Sequence, residues 1–188
     1  YSPQNSKLIK TIVEHLGGRC KEECDFSELT RLRTERRLPA RKKQGRLFKP
    51  DELHAPFEMN LFSSQAIFLD LSIEISYRCR PLLEFLGIQL KPTVGLVVKH
   101  LLHCSEQEIE VVKEVYRFLN NKVQDPALTQ LRDKKCLFLG DTFYSPEEVF
   151  WDCNPFGKYR QQLGESLRDE CEDLFKRLGV RDSPSWED

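Results

Sequence analysis

Apolar residues at positions 8, 9, 12, 13 and 16 fall on one side of a helical wheel, so Lys7 to Leu16 is predicted to be helical. Gly17-Gly18 ends that helix, because glycine enters the left-handed C-terminal conformation without strain. Asp25 caps a second, short helix that turns Phe26, Leu29 and Leu32 inward. The pattern then changes. Leu38-Pro39-Ala40-Arg41 and Arg46-Leu47-Phe48 flank Lys42-Lys43-Gln44-Gly45, which predicts a β-hairpin with Gly45 at its left-handed turn position. Pro39 suits an edge strand or a strand start. Pro50 opens another short helix, whose positive end Asp51 and Glu52 favour.

From Ile67 to Tyr77 every odd position is apolar, and the even positions after Phe68 are polar. That is strand period, with the Ile and Tyr residues that strands prefer. Helical spacing would also gather Ile67, Phe68, Leu71 and Ile75, but the alternation favours a strand. Pro81 to Gly87 is a short helix, and Thr93 caps another from Val94 to His103 that is apolar over most of its surface.

The second half runs in the same order. Ser105-Glu106-Gln107-Glu108 is a capping box, opening a helix to about Asn121 with Val112, Val115, Tyr116 and Leu119 on one face. Asp125-Pro126-Ala127-Leu128 starts a short helix. Cys136 to Leu139 and Thr142 to Tyr144 form a hairpin around Gly140-Asp141. Ser145-Pro146-Glu147-Glu148 is a second capping box, with proline at the first helical position. Lys158 to Leu178 reads as helix, weakened by Gly164 and ended by Gly179.

Particular motifs recur between the halves. Leu86-Gly87-Ile88 with Pro92-Thr93 returns 92 residues later as Leu178-Gly179-Val180 with Pro184-Ser185. Phe48-Lys49-Pro50-Asp51-Glu52-Leu53 returns 96 residues later as Tyr144-Ser145-Pro146-Glu147-Glu148-Val149. A fixed period of this kind marks a modular array. The expectation is an α+β chain, predominantly helical, of two related tandem units over residues 1–104 and 105–188, each with a small β-hairpin. The missing initiator Met and the phase of the repeat at residue 188 suggest a fragment of a longer array.

Composition narrows the function. Of 188 residues, 39% are hydrophobic, including 12 Phe, which is enough for a real core. No apolar run approaches the roughly 20 residues that a membrane span needs. Seven scattered Cys suggest reduced thiols and an intracellular setting, cytoplasmic or nuclear. The net charge is −1, yet residues 31–49 carry nine Lys or Arg against one acid, Glu35. From Glu165 onward there are eight acids and four bases.

These asymmetries select the candidate sites. Arg36, Arg37, Arg41, Lys42, Lys43 and Arg46 make a basic cluster suited to an acidic protein surface or, alternatively, to nucleic-acid phosphates. The cluster lacks aromatic residues until Phe48, so it has no platform on which bases could stack. Trp151 and Phe156, beside Asp152, Asn154 and Pro155, form a candidate contact patch, with core packing as the plainer reading. His15, Cys20 and Cys24 do not make a metal site, because C-x3-C without a second pair lacks zinc spacing. Ser63-Ser64 has no nucleophile elbow, and no glycine-rich phosphate loop occurs. The expectation is therefore no enzyme, no cofactor and no membrane, with another protein or flanking domains as partner.

The run Leu38-Pro39, Gly45-Arg46-Leu47, Pro50 to Leu53 and Leu82 to Ile88 resembles repeat segments of the sacsin and NO VEIN-like family. So does Phe143 to Trp151, followed by Leu174-Phe175, Leu178-Gly179-Val180 and Ser183-Pro184-Ser185. These are very large proteins in which a chaperone-type GHKL ATPase module precedes long helical repeats. That ATPase needs a helix Asn and an Asp-x-Gly-x-Gly loop. Neither is present here, so no ATPase residue carries over. The resemblance implies a non-catalytic repeat segment acting as scaffold or client-binding surface.

Overall fold

The computed structural model describes residues 30–31, 33–35, 37–43, 45–103, 109–151, 161–163 and 165–183, together with Thr11 and His15. The chain folds into two compact units, Tyr1–Pro92 and Thr93–Asp188.

In the first unit, β1 (Leu38–Pro39) and β2 (Leu47–Phe48) pair antiparallel, with Leu38 opposite Phe48. Gly45 takes the left-handed conformation at φ 77°, as the hairpin requires. A short 3-10 turn, Pro50–Glu52, follows; the Glu52 carboxylate accepts the Lys49 amide at 2.8 Å. Leu53 to Ala55 then runs between two flanking segments. His54 bridges Phe68 on one side and Gln89 on the other, both parallel. Helix α1 (Ile73–Arg78) starts at Ser72, whose Oγ accepts the Ile75 amide. Cys79 separates it from α2 (Arg80–Leu86), which closes at Gly87 with φ 85°. The Ile88 amide reaches back to the Leu83 carbonyl and the Gly87 amide to that of Glu84, a Schellman cap. Leu38, Phe48, Leu53, Leu69, Leu71, Leu82, Leu83 and Leu86 bury their side chains together as the core.

The second unit opens with α3 (Val94–His103) and α4 (Ile109–Asn120), the latter burying Val112, Val115, Tyr116 and Leu119 along one face. Both pack within this unit, α3 against α4 and against the 3-10 segment Pro126–Leu131. Strands β3 (Leu137–Leu139) and β4 (Thr142–Tyr144) form the hairpin around Gly140, φ 67°. The 3-10 turn Pro146–Glu148 leads into β5 (Val149–Phe150), which pairs parallel with β6 (Gln161–Gln162) and, at Phe150, with Arg181. Helices α5 (Glu165–Glu170) and α6 (Glu172–Leu178) flank Cys171, and Gly179 caps α6 at φ 102°. Asn120 Oδ1 accepts the Leu174 amide at 2.8 Å, supplying a partner for an otherwise orphaned N–H at the start of α6.

Several hydrogen bonds recur at matching positions of the two units. Glu52 on the Lys49 amide matches Glu148 on the Ser145 amide at 2.7 Å. The Leu69 amide to His54 matches that of Leu163 to Phe150, and the Ala55 amide to Gln89 matches that of Trp151 to Arg181. The Schellman cap at Gly87 and Ile88 returns at Gly179 and Val180. Cys79 and Cys171 occupy the same helix junction, and both are buried. The chain is α+β and built from two related units, as the recurring motifs predict.

Two expectations change. Ile67–Tyr77, expected as a strand, divides: Phe68 and Leu69 make bridges, and Ser72 then caps helix α1. The alternation past residue 72 is no burial pattern, because Ile73 is 43% exposed and Tyr77 61%, while Ser76 is buried. Lys158 to Leu178, expected as one helix, contains β6 and breaks at Cys171 into α5 and α6. Its pairing with β5 is a long-range contact that local periodicity does not register. Helix α3 packs on α4 and on Pro126–Leu131 within the compact unit Thr93–Asp188. The predicted capping box at 105–108, and almost all of the helices at 7–16 and 25–32, lie outside the described residues.

Candidate interaction site

The hairpin of the first unit carries the basic cluster, and its loop is longer than the second unit's. Leu38 pairs with Phe48 across a nine-residue excursion; Leu137 pairs with Tyr144 across six. The extra length holds Arg41, Lys42 and Lys43. These residues do not behave alike. The Arg41 amide donates to the Phe68 carbonyl at 2.8 Å, and its guanidinium donates to the Leu71 carbonyl at 2.8 Å and meets the Met59 sulfur at 3.3 Å. Arg41 therefore ties the hairpin to the segment just before α1. Arg46 lies over the Phe48 ring at 5.0 Å, a cation–π contact. Arg37 pairs with Glu35 at the exposed edge. Lys42 and Lys43 stand exposed at the tip, with Lys42 in the left-handed region at φ 57°. Arg36 lies outside the described residues, as does Phe156.

Trp151 belongs to the second unit and is no exposed contact. It is 9% exposed, and Lys176 Nζ sits 5.5 Å from its ring centroid. Sequence periodicity does not single out Ile73 and Tyr77, exposed on α1, with the Tyr77 ring tilted against Phe57 at a centroid distance of 4.5 Å. The sequence did hold a signal. At the same helix positions the second unit has Glu165 and Asp169, 92 residues on.

Replacing Arg41 with Ala is expected to destabilise the first unit by about 1–3 kcal/mol, since the buried-side carbonyl of Leu71 loses a charged donor. Replacing Lys42 or Lys43 with Ala should change stability by less than about 0.5 kcal/mol. Urea midpoints read by hydrogen exchange in residues 53–90 distinguish the two classes; equal losses would mean that Arg41 is no anchor.

Among the described residues, no group of three His, Cys, Asp or Glu side chains is placed to hold a metal ion. Burial pushes the Cys136 thiol up to about 12 and that of Cys171 up to about 11, well away from the thiolate form a nucleophile needs. A depression of about 330 Å³ is lined by Asn121, Lys122, Val123, Gln124 and Asp125, a turn segment without paired titratable groups. No helix among the described residues is long and apolar enough to cross a membrane.

No protein-family model matches the chain. No solved structure matches it either. Among curated proteins, sacsin from Homo sapiens is similar to it, 24% identical over 218 aligned residues that take in 98% of this chain and 5% of sacsin. The chain therefore resembles one short stretch of sacsin from end to end, as the motifs around Pro50, Gly87, Pro146 and Gly179 suggest.

Proposed function

We propose that this chain is a non-catalytic, intracellular repeat segment of a large multidomain protein, acting as a scaffold and protein-interaction surface with a chaperone-related role. The observation that carries this reading is the recurrence of the same caps and bridges in both units. The residues most conspicuous in sequence (Pro50, Glu52, Gly87 and their counterparts Pro146, Glu148, Gly179) cap helices and turn the chain. Their recurrence has a structural cause, and repeated units of this kind present surfaces rather than pockets. The likeness to a stretch of sacsin supports the multidomain setting, and the chaperone-related role rests on that resemblance.

Nucleic-acid binding through residues 31–49 has less support. The Arg41 and Arg46 guanidinium groups are already engaged, and Phe48 is buried rather than offered to bases. An affinity experiment tests the main reading. The chain, immobilised with its native flanking segments, is expected to retain specific proteins from a cytosolic extract treated with nuclease. Retention that disappears with the nuclease, or no protein retained, would overturn it.

A further inference from the structure

The two units offer an internal control for surface function, because the same backbone appears twice with different decoration. Positions needed for the fold keep their character: Phe48 and Tyr144, Leu53 and Val149, Cys79 and Cys171, Leu86 and Leu178. Exposed positions that change character are free of the fold's demands. The largest such change lies around α1. Ile73 and Tyr77 occupy places that the second unit gives to Glu165 and Asp169. A fold that accepts carboxylates there does not need an isoleucine and a tyrosine. The Tyr77 ring rests tilted against buried Phe57, with centroids 4.5 Å apart.

The lengthened hairpin sits against the same place. Ala40 bridges Leu69, the Asp70 amide donates to the Pro39 carbonyl at 3.1 Å, and Arg41 holds the Leu71 carbonyl, two residues before Ile73. The exposed Lys42 and Lys43 follow Arg41 directly in the chain. The second unit has Gly140-Asp141 at its tight hairpin turn instead. An insertion brings cations and a helix brings an aliphatic and an aromatic side chain, both at places where the sister unit is acidic.

We infer that the face formed by Lys42, Lys43, Ile73 and Tyr77 docks an acidic amphipathic helix of a protein partner, its apolar side on Ile73 and Tyr77 and its carboxylates on the two lysines. This deepens the interaction reading above and rests on it. Charge selects the occupant. Clustered cations beside the apolar pair attract carboxylates, while an exposed apolar pair of this size adds nothing to a phosphate contact. Helix-in-groove recognition uses apolar anchors one turn apart, the spacing that Ile73 and Tyr77 themselves present.

The test uses the 188-residue chain and a fluorescein-labelled peptide of about 18 residues, long enough to form a helix. The peptide carries Asp and Glu on one face and Leu and Phe on the other. A second peptide of the same composition has its apolar residues scattered, and a single-stranded RNA of similar length is the third probe. The amphipathic peptide is expected to bind tighter than both. The double change Ile73→Glu with Tyr77→Asp, which copies the second unit, should weaken it about tenfold or more, as should Lys42→Glu with Lys43→Glu. Hydrogen exchange in the unaltered chain gives an answer that does not depend on any variant: bound peptide should slow exchange in residues 73–78. Equal binding of the scattered peptide, insensitivity to the Ile73 and Tyr77 changes, RNA binding as tight, or unchanged exchange in α1 would each overturn the docking face. Those outcomes leave the affinity experiment on the whole chain untouched, so loss of this face and loss of the interaction reading are told apart.

Discussion

Phe175→Ala will destabilise the second unit by about 3–5 kcal/mol, enough to unfold a unit of ordinary stability. The ring is wholly buried and meets Tyr116 edge-on with centroids 5.4 Å apart. It is also the residue whose carbonyl closes the Schellman cap at Val180, so the cavity opens where α6 turns the chain back toward β5. Tyr116→Phe gives a companion measurement. The Tyr116 hydroxyl donates to the Cys136 carbonyl at 2.7 Å and accepts the Phe138 amide at 2.7 Å. One oxygen thus pins α4 to the first strand of the hairpin. Removing it should cost about 1–3 kcal/mol for the buried group left without a partner. Both tryptophans of the chain, Trp151 and Trp186, fall in the second unit. Urea unfolding followed by tryptophan emission therefore reads that unit selectively. An unchanged midpoint for Phe175→Ala would mean that the ring is not part of a tight core.

The first unit will lose stability as pH falls below the ordinary histidine value of 6.5. His54 is 6% exposed, with its ring edge-on to Phe62 at 5.0 Å and tilted against Phe68 at 6.2 Å. Its Nδ1 is buried without a hydrogen-bond partner. Burial among rings disfavours the charged imidazolium and pulls the pKa below its usual 6.5. The sign follows from proton binding. Between the lowered folded value and 6.5 the unfolded chain holds more protons than the folded one. Stability is therefore complete above pH 6.5 and declines as pH drops toward the folded value. Phe150 holds the matching place in the second unit and does not titrate. Protection factors for Leu53 to Ala55, corrected for intrinsic exchange, should fall between about pH 7.5 and 5 relative to those for Val149 to Trp151. His54→Phe should remove the difference. A loss that persists in His54→Phe would assign it to titratable groups elsewhere.

The elements legible in sequence are those fixed by local chemistry. Pro50 and Pro146 mark turn starts because proline presets the first helical dihedral, and Gly87 and Gly179 mark ends because only glycine enters that conformation cheaply. The hairpins announce themselves through Gly45 and Gly140. What escaped notice depends on distant partners. Phe68 is a bridge residue because His54 lies beside it, and Gln161–Gln162 is a strand because β5 does. Polar glutamines carry no strand signal of their own. The basic cluster was visible as composition. Its division into an anchor, Arg41, and an exposed tip, Lys42 and Lys43, required knowing that the Leu71 carbonyl lies within reach. Trp151 looked like an anchor for a partner because its neighbours are polar, whereas its backbone belongs to the β5 register and its ring lies inside. The apolar pair Ile73 and Tyr77 fits the alternation of a strand in sequence, and that period does not show that both side chains are exposed on a helix.

Cys79 and Cys171, one sulfur at each helix junction, give every unit a chemical clock of its own. Both side chains are shielded while the unit is closed. An alkylating reagent reaches either one only when its unit opens, so mass spectrometry of the two tagged peptides would time the opening of each half separately, in one sample and without a probe being introduced. Duplication has left a matched pair of internal timers in one polypeptide.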